Sequence, residues 1–451
     1  MKGRLPFGPD IILLVADDHR PSAIGAYGNT DVVTPNLDVL ASDGLRFTNV
    51  RCQGGMNPAI CATSRACFLT GRQVWEAVES TAIDSSGSYE IKATLPTLPS
   101  LLGKIGYNTY AVGKWHNGAR SFARSFRGGT ALFFGGMSDH HAVPVQMFDP
   151  TGEYDEGRAS VARGFSTDVF GNAAVEFLES PKDQRPYFLY VAFTAPHDPR
   201  TPVLPYSSMY RPDQLTLPPN VMQRHPFDNG ALSGRDERLA PTVRSREIVA
   251  QHLADYYGMI SHLDKAVGDI VSASRRSARG RDTVIIYTAD HGLALGNHGL
   301  MGKQNLYDHS LRIPLIITGV GHSGSVESSL WYNSDVYRTI GTIGGVPGLD
   351  DCPSQDMLSG LQGREYVFGA YKDLQRSAIG HAWKLIRYYK SETSGVGTER
   401  AQLFDLGTDP FELNDRSSDP GCSGTLEELK SELEMWQVQH NDPLANIRSD
   451  A

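Results

Sequence analysis

Three stretches of this chain, residues 11–16, 187–193 and 283–288, are almost wholly apolar. Such runs, without alternation, read as strands buried on both faces, the pattern of the centre of a parallel sheet. Each gives way at once to polar, titratable residues. Asp17 and Asp18 follow the first, Thr194-Ala195-Pro196-His197-Asp198-Pro199-Arg200 the second, and Ala289-Asp290-His291-Gly292 the third. A further strand at 108–112 runs into Gly113-Lys114-Trp115-His116, and residues 44–49 read as a short one. The period changes to 3.6 over residues 246–272, where Leu253, Tyr257, Ile260, Leu263, Val267 and Ile270 form one stripe. Shorter helices are expected at 97–106, at 166–178, and after Thr34 or Asn36, with Leu37 and Leu40 facing the core. From about residue 346 the pattern becomes short strands at 365–370, 377–380, 383–388 and 402–406. A helix follows, capped by Thr425 and striped by Leu426, Leu429, Leu433 and Trp436. The expected architecture is an α/β domain over residues 1–345 and a small C-terminal subdomain of antiparallel strands and a helix over 346–451.

The polar residues after the strands fall where open α/β sheets bind ligands, beyond the carboxyl ends. Asp17 and Asp18 are adjacent acids that repel, so a cation between them is expected. With Asp290 and His291 they form an oxygen-rich donor set with one nitrogen. That suits Ca²⁺, with Mg²⁺ second, whereas zinc prefers more nitrogen and sulfur. Lys114 and His116, two residues apart, face the same way in an extended or turning backbone. His140 and His141 lack partners at zinc spacing and read as substrate contact or loop.

One segment organises the rest: Cys61-Ala62-Thr63-Ser64-Arg65-Ala66-Cys67-Phe68-Leu69-Thr70-Gly71-Arg72. Residues 58–61 read as an irregular entry into a helix. Cys61 then sits near a helix N-terminus, where unpaired N–H groups and the macrodipole favour an anionic oxygen or sulfur. Arg65 lies one turn on, on the same face. The place is suited to chemistry on an anion.

Composition narrows the picture. The 451 residues carry 42 Lys and Arg against 51 Asp and Glu, a net charge of −9. An anionic substrate must therefore be drawn by a local cationic pocket, and a nucleic-acid partner is not expected. Five cysteines without paired C-x-x-C spacing exclude a disulfide scaffold. No apolar run is long enough for a membrane span, and residues 1–10 lack a signal-peptide core. The sequence on its face is cytoplasmic, or periplasmic or secreted where a leader has been removed.

The Cys61–Arg72 segment resembles the signature of the type I sulfatases, Cys-x-Pro-Ser-Arg followed by Thr-Gly-Arg, with Thr63 in place of the usual proline or alanine. The Thr34–Asp38 and Gly44–Asn49 runs, Gly113–His116, the Pro196-His197 segment, Asp290-His291 and Lys303 follow in family order. The resemblance implies an alkaline phosphatase-like fold, a large mixed sheet sandwiched by helices. It implies that a formylglycine-generating enzyme oxidises Cys61 to formylglycine, whose hydrate is the nucleophile. Asp17, Asp18, Asp290 and His291 are then the Ca²⁺ ligands, the metal also touching the oxygen at position 61. Arg65, Lys114 and His116 contact the formylglycine, Lys303 and His197 bind sulfate, and His197 protonates the leaving group. Asp198, Arg200 and His298 are expected to reach the substrate, a sulfated sugar or oligosaccharide. The alternatives are an arylsulfatase, a phosphonate or phosphate monoester hydrolase of the same superfamily, and a glycan binder in which Thr63 prevents oxidation of Cys61.

Overall fold

The computed structural model describes residues 8–79, 89–154, 156–180, 184–277, 281–360 and 362–445. Its centre is a nine-stranded mixed sheet. The run after Pro9 forms strand Asp10–Ala16, every residue of it buried. It pairs in parallel with Thr283–Ala289 on one side and Tyr187–Ala192 on the other. Asn108–Lys114 adds to Tyr187–Ala192, and Gly128–Phe133 closes that edge, both in parallel. Beyond Thr283–Ala289 the sheet turns antiparallel through Arg312–Thr318 to Leu45–Arg51, with Ser325–Glu327 and Trp331–Tyr332 parallel to the last. The registers Ala16↔Ala289, Val15↔Ala192 and Gly113↔Ala192 bring four neighbouring strands to an end at one level. Four sets of polar residues therefore emerge side by side.

The helices cover this sheet as the periodicity requires. Helix Arg246–Arg276 is opened by Ser245, whose hydroxyl accepts from Ile248 N, and buries Leu253, Ile260, Leu263, Val267 and Ile270. Its Asp264 reaches across to accept from the backbone N–H of Asn36 and Leu37 at 3.1 and 2.7 Å. The first turn of helix Pro35–Asp43 is thus capped by a side chain 227 positions away, and neither Thr34 nor Asn36 acts as its side-chain cap.

The C-terminal region forms a second sheet of Val367–Tyr371, Gln375–Ile379, Trp383–Tyr388 and Arg400–Asp405, antiparallel throughout. Its fifth strand is Gly54–Gly55, parallel to Ala370 and Tyr371. Helix Ser423–Gln439 packs on it, Trp436 stacking on Phe368 at 4.9 Å. This helix begins two residues before Thr425, which lies inside it. Asp419 caps the preceding turn by accepting from Gly421 N at 2.8 Å. Among the described residues no helix is long and apolar enough to cross a membrane.

Candidate active site

Cys61 is the second residue of helix Ile60–Thr70, all eleven residues of which are buried. The helix ends where the chain needs a left-handed residue. Gly71 has φ 70°, its N–H bonds Cys67 O at 2.7 Å, and a Cβ there would meet Cys352 Sγ at 2.2 Å. The opening turn faces the ends of the four parallel strands. Ser64 Oγ donates to the Asp290 carbonyl at 2.5 Å, and Arg65 Nε to the Asp290 carboxylate at 3.0 Å. Arg65 also donates to Tyr190 Oη at 3.2 Å and lies 3.7 Å from Asp17. Asn117 Nδ2 donates to Ala62 O at 2.8 Å, fixing the same turn from the far side.

The sulfur of Cys61 accepts from Lys303 Nζ at 3.1 Å and lies 3.1 Å from His291 Nε2. Lys303 also donates to Asp18 Oδ1 at 2.8 Å. Lys114 Nζ is bonded to Asp17 and to the Gly136 carbonyl. It is the last residue of its strand and follows Gly113, at φ 88°, in a bulge where a Cβ would strike the Ala192 carbonyl. His197 Nε2 stands 3.9 Å from Asp18 Oδ2, and its Nδ1 lies 2.8 Å from the Asp198 carbonyl. Half-buried His116 has φ 64°, interacts with Cys61 and packs edge-on against Tyr89. Asp17, Asp18, Cys61, Arg65, Lys114, His116, His197, Asp290, His291 and Lys303 thus form one cluster.

Its electrostatics favour an anion at position 61. Burial alone would raise the Cys61 thiol, but Lys114, Lys303 and His291 outweigh it and hold the thiol well below its ordinary range. Burial would likewise discharge His197 and His291. Asp18 in one case and Asp290 in the other reverse this and raise each to about 9. His116, half-buried but desolvated at the ring and beside Lys114, is pushed down to about 4. Asp290 is raised to about 6 by burial and by the charge of Asp17.

The same residues fit a metal. The ligand atoms of Asp17, Cys61, Asp290 and His291 all lie within 4.8 Å of one another, as do those of Asp17, Asp18, Cys61 and His197. The two groups share Asp17 and Cys61, and Asp17 Oδ1 is buried without a hydrogen-bond partner among the described residues. A carboxylate oxygen left unsatisfied at 0% exposure is expensive unless something cationic takes it.

Three expected substrate contacts fare differently. Asp198 borders the cluster and is gripped by both terminal nitrogens of Arg235. Arg200 carries a guanidinium whose Nε and Nη2 are buried without a hydrogen-bond partner among the described residues; its charge acts on Asp198, His252 and Asp255. His298 goes elsewhere. Its ring stacks on Tyr307 at 4.0 Å, and Asn220 Nδ2 bonds its Nε2 at 3.1 Å, so none of its contacts is with the Cys61 cluster. It stands at φ 51° in a turn in which Gly299 N bonds the Gly296 carbonyl at 3.0 Å. His140, read as substrate contact or loop, is buried and structural: its Nε2 bonds the His197 carbonyl at 2.9 Å, and Ser166 Oγ holds its Nδ1 at 2.6 Å.

Other residues of the site carry no sequence signal. Arg235 lies in an irregular stretch. Glu237 accepts from Met301 and Gly302 N–H and from Arg244, and so seats the loop bearing Lys303. Asn333 ties Ser64 from 269 positions away. Only space brings them together.

Residues 9–346 match the protein-family model described as Sulfatase, and the chain belongs to that family, the sulfuric ester hydrolases. It is 24% identical to an N-acetylglucosamine-6-O-sulfatase of Bacteroides thetaiotaomicron, over 96% of this chain and 87% of that one. It is 29% identical to human iduronate 2-sulfatase, over 71% of this chain and 61% of that one. The fold is also that of a solved structure in complex with its substrate D-glucosamine-2-N,6-O-disulfate. That likeness has a TM-score of 0.81 at 22% identity and covers 96% and 98% of the two chains.

Proposed function

We propose that this protein removes sulfate from a sulfated sugar, with position 61 as nucleophile and a hard divalent cation, Ca²⁺ before Mg²⁺, held by Asp17, Asp18, Asp290 and His291. The carrying observation is the Cys61 sulfur itself. It marks the place of the reacting oxygen, and it sits among Lys114, Lys303 and His291 in a pocket that holds the thiol well below its ordinary range. The carboxylate-rich donor set, with Asp17 Oδ1 unsatisfied, supports an oxygen-preferring cation. When bound, that cation supplies Lewis-acid polarisation of the oxygen at position 61 and of the sulfate. Formylglycine at position 61, made from the cysteine by a maturing enzyme, supplies a hydroxyl to attack sulfur and a second through which sulfate is released.

The chain's own residues then divide the work. Arg65, anchored on Asp290, and Lys114, anchored on Asp17, hold the attacking group oriented as an anion. Lys303 places an ammonium against the sulfuryl oxygens, where charge grows in the transition state. His197, beside Asp18, gives its proton to the departing sugar oxygen, a poor leaving group without one. His116, which interacts with Cys61, accepts the proton that release of sulfate requires. The Asp198–Arg235 pair at the rim supports a hydroxylated substrate, in keeping with the sugars named for the relatives.

Sulfate release from N-acetylglucosamine 6-sulfate, matched against 4-nitrophenyl phosphate and a phosphonate monoester, tests the reading. Turnover of the sulfate ester that is abolished by EGTA and restored by Ca²⁺, with mass loss of about 18 Da at the Cys61 peptide, is the expected result. Preference for the phosphorus esters, or turnover with Cys61 intact, would overturn it.

A further inference from the structure

The motif residue that leaves the catalytic cluster leads to a second cavity. His298 stacks on Tyr307 and lies 5.7 Å, ring to ring, from His309. His309 lines a cavity of about 430 Å³, together with Arg20, Arg312, Asn220, Tyr257 and Phe411. None of the side chains around the Cys61 sulfur lines it.

Its polar groups are incompletely used. Both ring nitrogens of His309 are buried without a hydrogen-bond partner among the described residues, as is Nε of Arg20, a residue 2% exposed. Arg20 Nη1 donates to Asn297 Oδ1 at 2.9 Å and Arg312 Nε to the Thr48 carbonyl at 2.7 Å, so both guanidinium groups are held by neutral partners. The nearby carboxylates are already engaged. Asp308 is bonded by Arg51 at 2.7 Å and Lys384 at 2.8 Å, and Lys384 also lies 2.7 Å from Glu412. Asp31, at the rim, accepts from Thr216 N.

His298, His309 and Glu412 offer ligand atoms within 4.8 Å of one another, which raises the possibility of a metal. The charge balance decides against one. Arg20, Arg51, Arg312 and Lys384 face Asp31, Asp308 and Glu412, and an ammonium already occupies the carboxylate a cation would need. The walls add the exposed ring of Phe411, a flat surface of the kind on which sugar rings lie. The volume lies within the range of small-molecule sites and admits about one ring.

We propose that this cavity is a second binding site, for a small hydroxylated anion such as a monosaccharide bearing a carboxylate or a sulfate. Arg20 and Arg312 receive the charge, and His309 supplies one N–H donor and one nitrogen acceptor to hydroxyls. A free sulfate ion shares the anionic chemistry, and the two sources are separated by probe.

Calorimetric titration of the full chain with glucuronate, inorganic sulfate and glucose tests the site. Saturable millimolar binding of glucuronate is expected, weakened about tenfold or more in His309→Phe, and unchanged in Lys303→Ala. Glucose is expected not to bind. Sulfate bound as tightly as glucuronate with the same dependence on His309 would make the free ion the ligand and support the anionic site. Because the His309 nitrogens have no partners to lose, His309→Phe is expected to melt no lower than the wild type without ligand. Should it misfold, Thr216→Trp, at an exposed position over the mouth, is expected to block binding equally. The proposal is overturned by absence of saturable binding of both anions, by glucose binding as well as glucuronate, or by binding that Lys303→Ala abolishes and His309→Phe spares.

Discussion

Two of the buried sets of charges in this molecule differ in how completely they are satisfied. In the C-terminal region Arg376 and Asp442 are each 0% exposed. Arg376 bonds both oxygens of Asp442, at 2.6 and 2.7 Å, and spends its remaining nitrogen on the Lys372 and Gln375 carbonyls. Asp442 also accepts from Gln437 and the Leu444 N–H. Every guanidinium nitrogen has an acceptor, and the pair holds the chain after the last helix against the small sheet. Around Cys61 the groups are as deeply buried, yet Asp17 Oδ1, Arg65 Nη2, Thr63 Oγ1 and His116 Nδ1 have no hydrogen-bond partners among the described residues. A saturated pair holds the fold together, whereas an unsaturated cluster is kept for something that comes and goes.

Breaking each set should separate these roles. Cys61→Ala is expected to lower sulfate-ester turnover by roughly 10⁴-fold or more while leaving the melting temperature unchanged or raised, since it relieves a strained site. A variant that loses both together would erase the contrast. Arg376→Met is expected to do the opposite, costing about 3–5 kcal/mol of stability by stranding Asp442, with kcat/KM of the folded fraction preserved. The double variant Arg376→Met/Asp442→Leu should recover most of that loss in denaturant melts.

The pH dependence sharpens the comparison. In the metal-free chain His197 is raised from 6.5 to about 9, against the effect of burial, chiefly by Asp18. A folded-state value above the unfolded one means stabilisation that is complete below about pH 6.5 and lost as pH rises through about 9. Melts in EGTA should therefore show wild type exceeding His197→Gln by on the order of 1–3 kcal/mol near neutral pH, the gap closing by pH 10. A gap that widens with pH would contradict the assignment of a charged His197. The smallest effect is expected at the rim, where Arg235 is 40% exposed and its pairing with Asp198 is partly screened. Arg235→Gln should raise KM by about 0.2–1 kcal/mol equivalent with kcat held, measured on the sugar sulfate.

Much of this was legible in the sequence because the apolar runs are short and end abruptly. Strand Asp10–Ala16 and the acids after it could be placed at a sheet's carboxyl edge from residues alone, as could Asp290, whereas Lys114 and His197, also at strand ends, gained their roles only from the family resemblance. The Thr34 cap was misread because local spacing cannot reveal that Asp264 supplies the acceptor, and the Thr425 cap because the helix starts earlier, at Ser423, directly after the turn that Asp419 caps. His298 was misplaced because proximity in sequence to Lys303 says nothing about a backbone that reverses at φ 51°. Arg235, Glu237 and Asn333 left no trace, since a loop residue recruited across hundreds of positions follows no period.

The strand Gly54–Gly55 gives the molecule a clock. It lies just ahead of the Cys61 helix, and its partner begins at Ala370, 370 − 54 = 316 positions later. At synthesis rates of about 5–20 residues per second, that partner emerges roughly 15–60 seconds after the glycines do. Until then the small sheet cannot close over the segment that seats Cys61, a residue 2% exposed once folding is complete. If Cys61 is oxidised as proposed, the maturing enzyme has an interval set by chain length, and slowing or shortening translation of the C-terminal region would then alter how much of the protein is converted.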